Sequence, residues 1–532
     1  MGVFFMGSIC GFLNPFSIDT KYVLGMLDKM RHRGPDSCGL YLDGKAWKAE
    51  NLEELFTVKD SGKISLGHSS LEIDGKPAEI QPFFSCDKLL ALVYDGDIYN
   101  FKEAKNLISG HDMDTESNLE VLVHMIEEFY DGDLISAVKK IINLIDAIYA
   151  FAVTDGVSIV LARDPLGVKP VYFTKTIPFS FASEKKVLNR IETYRLDPGK
   201  LLEITEQGVK IHEGTKIDKP AVTIDTLEEA VEDYERVFKK AVKKRARGIK
   251  RAGMLFSGGV DSTLVAKYLK DLRIQLKCYC VGVNGSSDIE NAREAARALD
   301  LDLKVMNITR EIIENSLPDI IESIEMDGLL QVEVAIPMYL GAKMASEDDF
   351  RVLFCGQGPD ELFGGYSWYK KVIREEGYLS LHEKQWEDLR KLYLDCFERD
   401  DKATMAHSIE LRAPYLDFEL IQTAMKISPK IKVRSQNDDQ RKIVHRELAL
   451  RMDVPKQIAY RKKIMAQEGS NIHSLLREIA KDHFKDNEVS EKDSEIWPED
   501  YGSTYRYINE KYGEPETWAY IREISAKVNN SY

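Results

Sequence analysis

The sequence predicts two successive domains, an α+β half and then a doubly wound parallel α/β half with a helical end. Three observations lead there. Up to about residue 205, short apolar or alternating runs bounded by turn residues dominate. Between 252 and 355, strand and helix patterns alternate, as in an open parallel sheet. Twice in that second half an apolar run leads into a Gly-rich, acid-bearing turn, at Met254–Ser262 and at Val352–Tyr366. In a doubly wound sheet such turns lie at the carboxyl ends of the strands, where ligands bind.

Taken in order, residues 1–13 are apolar but lack a basic n-region and a small-residue cleavage site, so they do not read as a signal peptide. The start Met-Gly-Val-Phe-Phe-Met lacks the hydroxyl residue of a myristoylation signal. Strand-like runs recur at 66–73, 89–95, 148–154, 157–162, 170–174 and 200–204, with helices expected at 18–31 and 117–130. Residues 206–232 read as a polar connection, and 233–250 as an amphipathic helix whose basic face is a solvated surface. Strands are then expected at 252–256, 276–283, 303–306 and 351–355, and helices at 263–271, 289–299, 311–326 and 335–346. From about 388 the chain reads as helical, with an acidic loop at 485–500 and a last helix from Tyr505 to Val528.

The 532 residues carry a net charge of −15, which argues against nonspecific binding to nucleic acid or an anionic membrane. No apolar stretch approaches the length of a membrane span. Seven scattered cysteines, an odd number, fit a reducing cytoplasm better than a disulfide framework. No C-x-x-C pair or histidine cluster in the sequence suggests zinc.

The chemistry starts at Ser257-Gly258-Gly259-Val260-Asp261-Ser262. Glycines let backbone N–H groups approach an anion, the following helix adds its N-terminal donors, and the two serines add hydroxyls. The lysine of the G-x-x-x-x-G-K-[ST] phosphate loop is absent, which suits a site that holds a pyrophosphate leaving group. Asp261 beside a polyphosphate is a natural Mg²⁺ ligand. An ordinary Ser/Gly turn would look the same in isolation. The second element, Cys355-Gly356-Gln357-Gly358-Pro359-Asp360-Glu361-Leu362-Phe363-Gly364-Gly365-Tyr366, supplies a further acidic pair.

These two elements, in this order, resemble the synthetase domain of the asparagine synthetase family. Met405–Asp417, Lys442–Arg446 and Ile458–Lys463 resemble later segments of it, and Glu410, Arg412 and Asp417 in the first of these read rather as a structural ion-pair network supporting the site. Asp395 is a weaker match in the acceptor region. Arg31–Ser37, Ala162–Tyr172, Phe181–Lys185 and Leu196–Lys200 resemble the glutaminase domain of N-terminal-nucleophile amidotransferases. The resemblance implies a four-layer αββα sandwich over 10–205, preceded by an extension or propeptide at 1–9. A linker at 206–232 and an ATP-binding synthetase domain over 233–532 would follow. It implies an AMP- and pyrophosphate-forming amide ligase that uses ATP and Mg²⁺ to activate a carboxylate such as aspartate. Ser257, Gly258, Gly259, Asp261, Ser262 and Gly356 would hold the phosphates, Val281 and Gly282 adenine, Asp261 and Asp360 the metal, and Lys463 the charge on the α-phosphate. The partners implied are small molecules: ATP, an acid, and ammonia, an amine or glutamine. A homodimer is compatible with the sequence.

This chain departs from the family pattern in both halves. Gln357 stands where glutamine-dependent members have a glutamate thought to handle the proton of the attacking nitrogen, and a neutral amide is no general base. Cys10 matches the nucleophile but follows nine residues, so only cleavage after Ile9 would free its amine. At the glutamine-site positions Ser70, Asp95, Gly96 and Asn118, three contacts are altered. Ser70 replaces an arginine for the α-carboxylate, Asp95 an asparagine donor to the oxyanion, and Asn118 an aspartate for the ammonium. The expectation is therefore a ligase with a degenerate glutaminase half, in which Cys10 is a buried structural residue. The alternatives are a glutamine-dependent asparagine synthetase with Cys10 exposed by processing, and a non-catalytic ATP-binding paralogue.

Overall fold

The computed structural model describes residues 6–73, 80–108, 110–111, 120–188, 192–437, 439–485 and 515–530. The chain divides into two compact units, Met1–Ile217 and Asp218–Tyr532. Among the described residues no helix is long and apolar enough to cross a membrane, and all seven cysteines are free.

The first unit is built on two antiparallel sheets. One has seven strands in the order Thr193–Arg195, Tyr172–Thr174, Phe179–Ala182, Met6–Asp19, Ser61–Leu71, Ser37–Leu42, Lys45–Ala49. The other has six, in the order Gly208–Glu213, Lys200–Thr205, Ile159–Arg163, Ala147–Thr154, Ala91–Ile98, Phe83–Phe84. Period-2 alternation sorts their side chains. Ile9, Leu13 and Leu66 of the first sheet pack on Val93, Ala150 and Leu161 of the second. On the opposite face of the long first strand, Cys10 and Phe12 pack on Val23, Leu24 and Leu27 of the helix Lys21–Lys29. Helices Glu120–Phe129 and Leu134–Ile141 cover the outer face of the second sheet. Each buried Leu, Val or Phe in these layers contributes about 1.5–3 kcal/mol. The result is the αββα sandwich that the resemblance implies.

Two expectations change here. Residues 6–9, expected to belong to an extension, open the first strand, because Met6-Gly7-Ser8-Ile9 pairs residue by residue with Leu71-Ser70-Ser69-His68. The stretch read as a polar connection carries the strand Gly208–Glu213, which forms a hairpin with Lys200–Thr205.

In the second unit the helix Leu227–Arg245 starts six residues earlier than its apolar period suggests. Thr226 accepts the N–H of Glu229, a Thr-x-x-Glu start signal, and Lys243, Lys244 and Arg245 close the last turn where the helix dipole favours cations. Its basic face is not simply solvated. Lys244 and Arg245 converge on the buried Asp417, at 2.9 and 3.1 Å, while Asp417 caps the helix Phe418–Lys426. The five-stranded sheet is parallel throughout, in the order Asp302–Ile308, Gln275–Val283, Arg251–Leu255, Val352–Phe354, Glu410–Arg412. The last strand lies inside the stretch read as helical. From Arg251–Leu255 the chain winds one way and from Val352–Phe354 the other, so the switch point of the sheet falls between them. The acidic loop expected at 485–500 lies outside the described residues, apart from Lys485. Within 505–528 the helix is described from Pro515, as Pro515–Asn530.

Candidate active site

The two Gly-rich turns leave the two strands that flank the switch point, so the topology brings them together. Gly258 adopts a φ of +69°, and a Cβ there would lie 2.3 Å from the backbone of Asn291. Helix Val260–Asp271 follows, with Gly259 as its N-cap and Asp261 in its first turn. The second turn packs on the first through Gly356, where a Cβ would lie 2.8 Å from the Ser262 nitrogen. A cleft of about 160 Å³ opens beside them, lined by Ser257, Asp261, Ser262, Val281, Gln357 and Lys463 among others. Gly282 is not in that lining; its Cα faces Ser286 and the Ser470 carbonyl.

Two carboxylates and two ammonium groups meet beside the cleft, and two of the four, Asp261 and Lys463, line it. Lys442 Nζ lies 2.8 Å from both Asp261 Oδ2 and Asp360 Oδ1. Lys463 Nζ lies 2.9 Å from Asp360 Oδ2 and 3.7 Å from Asp261. Behind them His445 Nε2 is 3.1 Å from Asp261, its Nδ1 is 2.8 Å from the Tyr234 hydroxyl, and the Tyr415 hydroxyl donates to the Asp261 carbonyl. Burial alone would raise the Asp261 carboxyl, but Lys442, His445 and Lys463 hold it well below the usual carboxylate range. Asp360 is depressed in the same way, with burial opposed by Lys442 and Lys463. Burial would lower the Lys463 ammonium, yet Asp360 and Asp261 raise it above its ordinary value, so it stays charged at any physiological pH. Paired, converging carboxylate oxygens are the donor set a hard divalent cation takes, so the residues present fit Mg²⁺.

Gln357 lines the cleft and donates its Nε2–H to Asp400 Oδ2 at 3.1 Å. Asp400 is itself held by Arg399 at 2.7 Å. A glutamate at 357 would set two carboxylates against each other, whereas the amide complements Asp400.

The positions expected for glutamine chemistry tell a different story. Cys10 lies within a strand, fully buried, its Sγ 4.0 Å from the Val23 carbonyl oxygen, and burial pushes its thiol up. Its nitrogen is a peptide N–H of the strand, not a free amine. Ser70 lies opposite Gly7 in the ladder, its hydroxyl 3.2 Å from His68. Asp95, fully buried, accepts the N–H of Gly7 at 3.3 Å and lies 3.4 Å from Lys169 and 3.6 Å from Arg33. Arg33 in turn donates to the Gly7 carbonyl at 3.0 Å and pairs with Glu184. Gly96 lies in the strand Ala91–Ile98, where a Cβ would lie 2.0 Å from the Ile148 carbonyl oxygen. Asn118 lies outside the described residues.

The family model for asparagine synthase matches residues 233–380 and 371–504, and that for the glutamine amidotransferase domain matches 6–218. A putative glutamine-hydrolysing asparagine synthetase of Methanocaldococcus jannaschii is 32% identical over 89% of this chain and 95% of its own. The chain belongs to the asparagine synthetase family. Members from Sandersonia aurantiaca, 30% identical over 77% of this chain and 75% of theirs, and Arabidopsis thaliana, 28% over 92% and 83%, are also similar. As a family member it has an ATP-utilising synthetase domain and a glutamine amidotransferase domain.

For an asparagine synthetase-family chain, sequence reading identified Asp261, Asp360 and Lys463, and the structure brings these three together. It missed Lys442, His445, Tyr234 and Tyr415 as parts of the same cluster. Lys442 and His445 were visible as a Lys-x-x-His pair, but spacing alone does not say which carboxylates they face. Tyr234 sits on the helix Leu227–Arg245, far away in sequence, and only folding reveals its link to His445.

Proposed function

We propose that this protein is an AMP- and pyrophosphate-forming ligase that activates a carboxylate, aspartate first among them, and transfers it to ammonia or another amine. In this reading its glutaminase half is a structural partner. The observation that carries the reading is the mutual convergence of Asp261, Asp360, Lys442 and Lys463 at the switch point, with Asp261 and Lys463 lining the cleft. The donors of the Ser257–Ser262 turn would receive the pyrophosphate end of ATP, and the apolar wall at Val281 the base. Asp261 and Asp360 would hold Mg²⁺, which when bound neutralises phosphate charge. Lys463, fixed by its two carboxylates, would face the charge that develops as the acid attacks the α-phosphorus. Lys442 keeps the carboxylates ionised and spaced, and His445 with Tyr234 fixes the orientation of Asp261. The chain contributes placement and charge, not covalent chemistry.

The glutaminase reading is supported by the burial of Cys10 and by Asp95, which ties the Gly7 amide between Arg33 and Lys169. Residues 6–9 then act as a permanent strand rather than a propeptide. The test is AMP and pyrophosphate formation from MgATP and aspartate, with ammonium or glutamine as nitrogen source. Turnover with ammonium alone, lost in Asp261→Ala, is expected. Turnover with glutamine would overturn the degenerate-glutaminase reading. ATP binding without AMP formation for any acid tested would favour a non-catalytic paralogue.

A further inference from the structure

The first unit holds a cluster that no part of the ligase reading uses. Cys86, His111, His124 and Glu127 bring one ligand atom each within 4.8 Å of one another. Cys86 Sγ lies 3.5 Å from His111 Nδ1 and 3.6 Å from His124 Nδ1. Glu127 Oε2 lies 3.1 Å from His111 Nδ1 and 2.9 Å from His124 Nδ1. Donors at the corners of a tetrahedron around zinc, with Zn–S and Zn–N lengths of about 2.3 and 2.0–2.1 Å, stand about 3.3–3.6 Å apart. The sulfur-to-nitrogen separations match that figure, and the oxygen-to-nitrogen ones fall slightly inside it.

From these positions we infer that Cys86, His111, His124 and Glu127 form a four-ligand structural site for a zinc-class divalent cation. The surroundings favour a metal over a plain hydrogen-bond network. Both imidazoles turn Nδ1 inward, while the outer Nε2 of His111 lies 2.9 Å from Glu128 and that of His124 lies 3.7 Å from Glu120. At His111 the Glu128 carboxylate on the far nitrogen orients the ring with Nδ1 toward the cluster, while His124 Nε2 is buried and makes no hydrogen bond among the described residues. The two rings lie 5.2 Å apart, and His124 is buried. The Cys86 N–H also donates to both oxygens of Glu127, at 3.0 and 3.1 Å, which fixes the carboxylate.

No C-x-x-C pair or histidine cluster announces this group in the sequence, because its members come from three separate places in the chain. Cys86 sits in the turn closed by Lys88 N–H onto the Ser85 carbonyl, after the strand Phe83–Phe84. His124 and Glu127 are one turn apart on the helix Glu120–Phe129, and His111 precedes that helix. Four protein ligands leave no open position, so the site would clamp the turn, His111 and the helix together rather than catalyse.

The test uses the full-length protein, purified without a metal-affinity tag, with metal content measured after gel filtration and after Zn²⁺ or Co²⁺ is added to chelator-stripped protein. One zinc per chain is expected, along with a tetrahedral cobalt spectrum containing a thiolate charge-transfer band. Cys86→Ser removes that band, and His111→Ala abolishes retention of zinc through gel filtration. Glu128→Gln weakens zinc binding about 10–100-fold. His111 stands at the edge of the cluster, so His111→Ala in chelator should melt where stripped wild type melts, and only wild type should gain Tm with zinc. Zinc content or cobalt spectra that are unchanged in both ligand variants would overturn the inference. So would failure of the wild-type protein to take up either metal.

Discussion

The two units treat their buried charges in opposite ways. In the second unit Asp261, Asp360, Lys442 and Lys463 are drawn into a cluster that borders a cleft, and Lys463 keeps 31% of its side chain exposed. In the first unit Arg33, Asp95, Lys169 and Glu184 are fully or almost fully buried, and the backbone of Gly7 bonds two of them, donating to Asp95 and accepting from Arg33. Both clusters sit in stretches that resemble the family. Among the described residues, two charges of the second unit's cluster, Asp261 and Lys463, line a cleft that a ligand could enter. A retained motif therefore records a retained fold. Whether it records a retained site depends on what fills the space in front of it.

The comparison is broken most directly at the cleft. Lys463→Ala should lower AMP formation about 10²–10³-fold, the usual cost of removing one fixed donor from developing charge. Pyrophosphate release and thermal unfolding measured together check this; a large loss of Tm with little loss of rate would make Lys463 structural. The matching change in the other unit is Asp95→Asn, which removes the buried negative charge beside Arg33 and Lys169 and should cost about 3–5 kcal/mol in denaturant unfolding. Although it restores an amide, it should release no glutamate from glutamine, because Cys10 still has no free amine. Glutamate release by this variant would sink the reading of the first unit.

Much of this was legible in the sequence, and the limits follow from range. The period of the parallel half and its two glycine turns are local signals, so the switch point and its acidic residues could be placed from sequence alone. The strand Glu410–Arg412 is three residues long and has no period to detect. The role of Met6–Ile9 depends on a partner strand more than fifty residues away. The same holds for Lys442, which is read as a site residue only once Asp261 and Asp360 lie on either side of it, and for the Cys86–Glu127 cluster. Contacts of this kind are written in no window of sequence.

A smaller contrast concerns protons within the second unit. Burial, with Asp388 nearby, pushes the Asp395 carboxyl up to about 7, while Asp261 is held low by its cations. The unfolded value for an aspartate is about 3.9. Between these values the folded state binds the extra proton, so the contribution of Asp395 to stability is complete below about pH 4 and is lost as pH rises through 7. Asp395→Asn carries no titrating group. Its stability relative to wild type should therefore improve by up to about 1.4 kcal/mol per pH unit between pH 5 and 7, then level off. Denaturant melts at four pH values test this, and a difference that stays flat would mean Asp395 is ionised in the fold.

The smallest expected effect is the most specific to the comparison. Cys10 packs among Val23, Leu24 and Leu27, so Cys10→Ala deletes one methyl-sized group from a closed layer and should cost about 1 kcal/mol. Ammonium-dependent AMP formation should not change, and the native thiol should alkylate far more slowly than the unfolded one because burial keeps it protonated. A nucleophile would behave oppositely on each count: little change in stability, rapid alkylation, and loss of any glutamine-dependent rate. The three readouts move together under either reading, so even a small stability change separates a packed cysteine from a catalytic one.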